Sequence, residues 1–417
     1  MKFFKKILIL FFINLLLLSN TIYVFSATND SNEPNLISRA AILIDNKSDK
    51  ILYSKNMNEK MFPASTTKIV TAIIVLEHCS LNETVTASYD AISSIPNGYV
   101  TANIDGGEEL TVEELLELLL VHSANDAANV LAEYVGGSID SFVSMMNTKV
   151  NELGLNNTHF TNTYGLQNEN HYTSAYDLSI IMKYCLKNDT FRKIAGSASC
   201  SIPATNKSEA RSYSSTNELI IPDNSNYYSF VTVGKTGFTT EAGECLVSCA
   251  YKNNMELICV VLGGSTVNNI STRFSESKTL YEYGFNNFSI KNISNTGDII
   301  TEVDVNNATY DTKSLNLAFS SSINVLVNNS DKNTNYTPEI KLNSDISAPI
   351  TQGDILGKAI YSIDGIQYES DLVATHNVEK SNLYQFILEI GGLFIALLIT
   401  LKIFFPKEKT ENQSMES

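Results

Sequence analysis

Three short motifs lie far apart in this chain: Ser65-Thr66-Thr67-Lys68, Ser123-Ala124-Asn125 and Lys235-Thr236-Gly237. If they act together, the fold must carry widely separated segments to one cleft. A serine and a lysine three residues apart at a helix start share one face. The lysine amine can then take the serine's proton without any histidine. Lys235-Thr236-Gly237 continues a run of strand character, and a glycine there leaves the strand edge bare. The fold must therefore set a helix start beside a sheet edge.

The rest of the chain supplies such elements. Ala40 to Asp45 and Lys50 to Tyr53 read as two strands around the turn Asn46-Lys47-Ser48-Asp49. Pro63 precedes a helix expected from about Ser65 to His78. Thr111 and Glu114 form a Thr-x-x-Glu capping box opening a helix with a leucine face through Leu120. Asn125 to Val135 reads as helix and stops at Gly136-Gly137. Ser138 caps a further helix that ends at Gly154, and Ser174-x-x-Asp177 opens one running to about Leu186. Strands are then expected at Tyr228 to Val233, Cys245 to Tyr251 and Glu256 to Leu262, the last two joined by Lys252-Asn253-Asn254. Strands flanking a central helical block give an α+β class. Residues 288 to about 375 show short alternating runs and turn clusters, and read as a small all-β domain.

With 417 residues the chain suits two domains with additional segments. Lys2, Lys5 and Lys6 before the apolar run Ile7 to Leu18 read as an export signal, residues 1–26, cleaved after Ser26. The competing reading of that run is an uncleaved anchor. Residues 384–405 are nearly all apolar and are expected to form a transmembrane anchor, with residues 406–417 as a cytoplasmic tail. The rival reading of this helix is an amphipathic element lying in the interface. The net charge of −16 and pI near 4.8 argue against a nucleic-acid partner. The five histidines, at 78, 122, 159, 171 and 376, have no metal-ligand spacing, so no metal or other cofactor is expected. His171 reads as a structural polar residue. The six cysteines show no framework spacing, and single buried thiols are expected.

The residues themselves support a particular chemistry. Ser65, at a helix start, could offer its own N–H to a developing oxyanion. Lys68 is useful as a base only if its pKa falls, and a second ammonium, Lys235, would lower it by repulsion. The Ser123 hydroxyl can relay a proton to a leaving amine, and the Asn125 amide can hold a substrate peptide group. Lys235 and Thr236 can hold a terminal carboxylate, while Gly237 lets an extended peptide pair with the strand edge.

Here the chain resembles a known family, the low-molecular-mass penicillin-binding proteins that act as serine-type D-alanyl-D-alanine carboxypeptidases. Phe62-Pro63-Ala64-Ser65-Thr66-Thr67-Lys68-Ile69 resembles the family's nucleophile segment. Ser123-Ala124-Asn125-Asp126 resembles its second motif, with Ala124 where glycine is usual, and Lys235-Thr236-Gly237 with Ala242-Gly243 its third. Leu153-Gly154-Leu155 and Tyr164-Gly165-Leu166 are similar to the stretch between. The resemblance implies a β-lactamase/DD-peptidase-like catalytic domain over 27–287, with an antiparallel sheet and a helical block, and a β domain over 288–376. It also implies removal of the terminal D-alanine from peptidoglycan stem pentapeptides, with β-lactams as inhibitors. Ser65 would be the nucleophile, Lys68 the base and Ser123 the relay. Asn125, Lys235, Thr236 and Gly237 would bind substrate, and the oxyanion hole would use the N–H groups of Ser65 and Phe238. Two other readings use the same residues. A class A β-lactamase would employ Glu152 in Glu152-Leu153-Gly154-Leu155-Asn156 for deacylation, and a β-lactam sensor or wall-binding protein would keep the site without turnover.

Overall fold

The computed structural model describes residues 33–331 and 335–404, so the expected export signal, residues 1–26, and the tail, 406–417, lie outside the described residues. A five-stranded antiparallel sheet forms the centre. Its strands are β1 (Ala40–Asp45), β2 (Ile51–Lys55), β3 (Val231–Thr239), β4 (Gly243–Lys252) and β5 (Met255–Gly264). They lie in the order β2-β1-β5-β4-β3. The first and last parts of the domain thus meet in one sheet, with Leu43 opposite Cys259.

Both faces of this sheet are covered, and the alternation along its strands shows how. In β1, Ala40, Ile42 and Ile44 enter the core beneath the helical block, whereas Ala41 and Leu43 enter a second core. β5 divides likewise, with Ile258, Val260 and Leu262 on one side and Leu257, Cys259 and Val261 on the other. A strand buried on both faces reads as an unbroken apolar run, although side chains still alternate. The second face is covered by α7, defined below.

The helices begin with α1 (Lys68–His78), preceded by a 3₁₀ turn at Ala64–Thr67. After the short helix Tyr89–Ser93 come α2 (Val112–Glu117), α3 (Asn125–Gly136), α4 (Ile139–Glu152), α5 (Ala175–Cys185), α6 (Asp189–Ala195) and α7 (Thr272–Asn287). Their starts follow the capping chemistry expected of them. Thr111 and Glu114 complete a reciprocal capping box, Ser138 accepts from Ser141 N, and Ser174 accepts from Asp177 N. After Gly136, Gly137 adopts φ +71°, the left-handed conformation that ends a helix most readily at glycine. The Lys252-Asn253-Asn254 turn is present, and Asn253 and Asn254 both have positive φ, as a tight hairpin requires.

Two expectations need correction. The strand read at Tyr228 to Val233 begins only at Val231 and runs on through the third motif to Thr239. Tyr228 and Phe230 pack instead against Tyr281 and Phe285, so their aromatic character reflects core burial rather than strand pairing. The leucine-rich helix after Thr111 is α-helical only to Glu117. It then widens into a π turn, Leu118–His122, that leaves Ser123 at φ +69°.

Beyond α7 an all-β domain follows: β6 (Phe288–Ser294), β7 (Ile299–Asp304), β8 (Ser314–Phe319), β9 (Ile323–Asn328), β10 (Glu339–Leu342), β11 (Ile355–Ile363) and β12 (Ile366–Ala374). Strands β7, β8, β12, β11 and β10 form one sheet, in that order, and β6 pairs with β9. Lys50 in the first domain donates to Asp364 in the β domain at 2.5 Å. A final helix, α8 (Leu383–Phe404), occupies the segment expected to span the bilayer, with exposed Phe386, Ile390, Leu393 and Phe394. Among the described residues, however, no helix is long and apolar enough to cross a membrane. All six cysteines are free thiols, five of them buried and Cys79 partly so.

Phe142 on α4 is fully buried, and its backbone packs directly on Gly136. Phe142→Ala is expected to cost about 3–5 kcal/mol, the usual loss for a large buried ring. Urea unfolding would show this as a lower midpoint at unchanged slope.

Candidate active site

The three motifs meet at the edge of the sheet. The 3₁₀ turn carrying Ser65 lies against β3, where a Cβ built on Gly237 would stand 2.9 Å from Ser65 N and 2.9 Å from Pro63 O. No larger residue fits there without moving the serine. Ala64, just before Ser65, holds φ +46°, an uncommon conformation for a residue with a side chain. Gly165 presses on the same turn from the other side. Its hypothetical Cβ would lie 1.8 Å from Ala64 O, and its own φ is +94°.

Lys68 starts α1 one turn after Ser65 and is 0% exposed. Its Nζ lies 2.9 Å from Ser65 Oγ, 2.6 Å from Asn125 Oδ1 and 3.1 Å from Tyr164 O. Lys68 therefore links the two motifs, meeting Ser65 within the first and Asn125 of the second. Burial pushes the Lys68 pKa well below its ordinary value, and the nearby Lys235 charge lowers it further. Desolvation thus outranks the like-charge repulsion expected from the sequence.

Ser123 sits in its left-handed conformation between the π turn and α3, and is nearly buried. Lys235 is 1% exposed, and its Nζ donates to Thr236 O at 3.0 Å. Burial, and then the Arg273 guanidinium, bring the Lys235 pKa down to about 7. The Thr236 hydroxyl lies 2.6 Å from Thr216 Oγ1. Phe238 is 60% exposed at the outer end of the edge strand.

Several supporting residues were not evident in the sequence. Arg273 at the start of α7 donates to Gly237 O at 3.0 Å, adding a cation beside the third motif. Asp126 accepts from the N–H groups of Ala102 and Ile104 at 3.0 Å, and His122 Nε2 lies 3.1 Å from Thr101 O, so the flanks of the second motif hold the segment before it. These contacts run to backbone atoms, which leave no mark in residue type. Glu152 closes α4 and pairs with Lys149 at 2.9 Å, beside Glu77 and His78 at the far end of α1. That end is about 14 Å along the helix axis from Lys68, which removes Glu152 from deacylation at Ser65.

The chemical content of the cleft is a half-buried hydroxyl facing a lysine amine with a depressed pKa, a bare strand edge, and a second buried lysine backed by an arginine. Comparison with known proteins gives the same family throughout. The family profile "D-alanyl-D-alanine carboxypeptidase" matches residues 27–266, and "Penicillin-binding protein 5, C-terminal domain" matches 288–380. D-alanyl-D-alanine carboxypeptidase DacF of Bacillus subtilis is 32% identical over 396 residues, covering 93% of this chain and 98% of that protein. DacC of Escherichia coli is 28% identical, covering 86% and 89% respectively. The crystal structure of penicillin binding protein 5 from Haemophilus influenzae superposes with a TM-score of 0.66 at 29% identity, over 84% of this chain and 99% of that one. With its three motifs gathered at one sheet edge and both domains matched, the chain belongs to the D-alanyl-D-alanine carboxypeptidase family.

Proposed function

We propose that this protein removes the terminal D-alanine from peptidoglycan stem pentapeptides through an acyl-enzyme on Ser65, and that β-lactams acylate the same oxygen. The observation that carries this reading is the setting of Lys68. A neutral amine has two N–H donors and one lone pair. Asn125 Oδ1 and Tyr164 O accept only, so they take the two donors, and the lone pair is left for the Ser65 hydroxyl proton. The lowered pKa favours the neutral form this requires.

In this reading Ser65 Oγ attacks the penultimate D-alanine carbonyl as Lys68 takes its proton. The oxyanion is held by the N–H groups of Ser65 and Phe238, which the bare Gly237 allows to approach. Ser123 relays the proton to the leaving D-alanine amine, and water then hydrolyses the ester. The peptide lies along β3, the outer strand of the sheet, with its terminal carboxylate toward Lys235 and Thr236 and with Arg273 reinforcing the positive charge. Residues 27–287 act as the catalytic unit, and residues 288–376 hold it away from the membrane. The exposed apolar side chains of α8 suit contact with the lipid surface. Export through residues 1–26 would place the cleft outside the cell, where its substrate is.

Intact-mass analysis after labelled penicillin should find one adduct, on the peptide containing Ser65. Lys68→Ala should fold normally and lose acylation by at least about 100-fold, the range for removing a general base. Retained labelling at neutral pH would mean that another base serves. The pH profile gives a separate check. Lys235 is charged below a pKa of about 7 and neutral above it, so capture of carboxylate-bearing substrates should weaken as pH rises through that value. Lys235→Arg keeps its charge throughout and should abolish this alkaline fall in kcat/KM. An unchanged fall would assign the limb to another group.

A further inference from the structure

His171 is 1% exposed and lies outside the substrate cleft, yet its ring is joined to the turn that carries Ser65. Nδ1 is 3.0 Å from Thr161 N and 3.4 Å from Thr161 Oγ1. A backbone N–H can only donate, so Nδ1 accepts and the ring proton belongs on Nε2. Nε2 lies 2.9 Å from Thr67 Oγ1, which therefore accepts, and the Thr67 hydroxyl proton is directed to Ala64 O at 2.9 Å. The donors thus run in one direction: Thr161 N–H to His171, His171 to Thr67, and Thr67 to the carbonyl immediately before Ser65.

We propose that His171 is a positioning residue for the nucleophile, fixing through Thr67 the left-handed Ala64 turn that aims the hydroxyl and N–H of Ser65. The turn needs such a hold. Ala64 at φ +46° is a conformation a non-glycine residue keeps only when its surroundings determine it. Gly165 supplies shape against Ala64 O but has no side chain to bond it. The Thr67 hydroxyl supplies the bond, and the ring decides which way that hydroxyl points. A doubly protonated ring would set an Nδ1–H against the Thr161 N–H and break the relay. Burial prevents this by pushing the His171 pKa down to about 3, with the neighbouring His159 acting in the same direction. Phe160 packs edge-on to the ring at 5.4 Å and closes it from solvent.

The inference rests on Ser65 being the acylated residue, and the experiment separates the two. Full-length protein labelled with ¹⁵N at its five histidines should show the His171 ring with Nδ1 unprotonated and Nε2 protonated, unchanged down to pH 5. His171→Gln assigns that signal by its loss. In acylation by labelled penicillin, Thr67→Val and His171→Leu should each be about 10- to 100-fold slower, the cost of a small misplacement at a reacting group. For release of D-alanine from a diacetyl-Lys-D-Ala-D-Ala peptide, the loss should fall on kcat with KM little changed. The double variant should be no slower than the slower single one, because both break the same relay. His171→Gln, whose amide can donate to Thr67, should recover the rate to within a few-fold of wild type. A proton on Nδ1, a wild-type rate in Thr67→Val, or multiplying losses in the double variant would overturn the inference alone. Absence of label on wild-type Ser65 would overturn the reading beneath it as well.

Discussion

Lys68 places a titratable amine where water does not reach, and much of the catalytic domain follows from keeping it there. A buried ammonium without partners is among the least favourable groups a fold can contain, so burial drives the amine toward its neutral form. A buried neutral amine still needs acceptors for its N–H groups. The side chain of Asn125 meets one of those needs and the backbone of Tyr164 the other. The first lies at the start of α3 and the second in the segment between α4 and α5, so the helical block must pack as it does for both to arrive. Neighbouring residues tie that segment to the nucleophile helix and to the chain leading into it: Thr71 donates to Thr163 O at 2.5 Å, and Met61 pairs with Thr173.

The sheet plays the complementary part. Its central strands are sealed on both faces by apolar side chains, which makes them a rigid floor. At the β3 edge, opposite the β2 edge, the third motif meets the nucleophile turn. An unpaired strand edge is ordinarily a hazard for self-association. Here its inner end is occupied by the Ser65 turn, and the Arg273 guanidinium on Gly237 O places positive charge near where a peptide terminus would reach.

The sequence was most legible where a residue type has a single local job. Thr111, Ser138 and Ser174 announced helix starts because a hydroxyl cap bonds its own neighbours, and each did so. Asn253-Asn254 announced a hairpin for a similar reason. The three motifs could be read because their spacing is itself the chemistry. What escaped was what depends on distant backbone: the π turn before Ser123, the grip of Asp126 on Ala102 and Ile104, and the support that Gly165 gives to Ala64. The early strand start at Tyr228 failed for another reason, since aromatic residues are enriched both in strands and in cores. His171 is buried, as a structural polar residue would be, but nothing in its local sequence shows its contacts with Thr67 and Thr161.

The free cysteines carry a last implication. Burial raises the thiol pKa at Cys185, Cys200, Cys245, Cys249 and Cys259, and even Cys79 is shifted upward. The reactive thiolate is therefore suppressed at every one of them, and oxidants meet little nucleophilic sulfur. Without a covalent cross-link among these residues, the native state rests on non-covalent interactions: apolar packing, hydrogen bonds and ion pairs. Such a chain can reach its final form without an oxidising catalyst, and a change in ambient redox poise leaves its shape untouched.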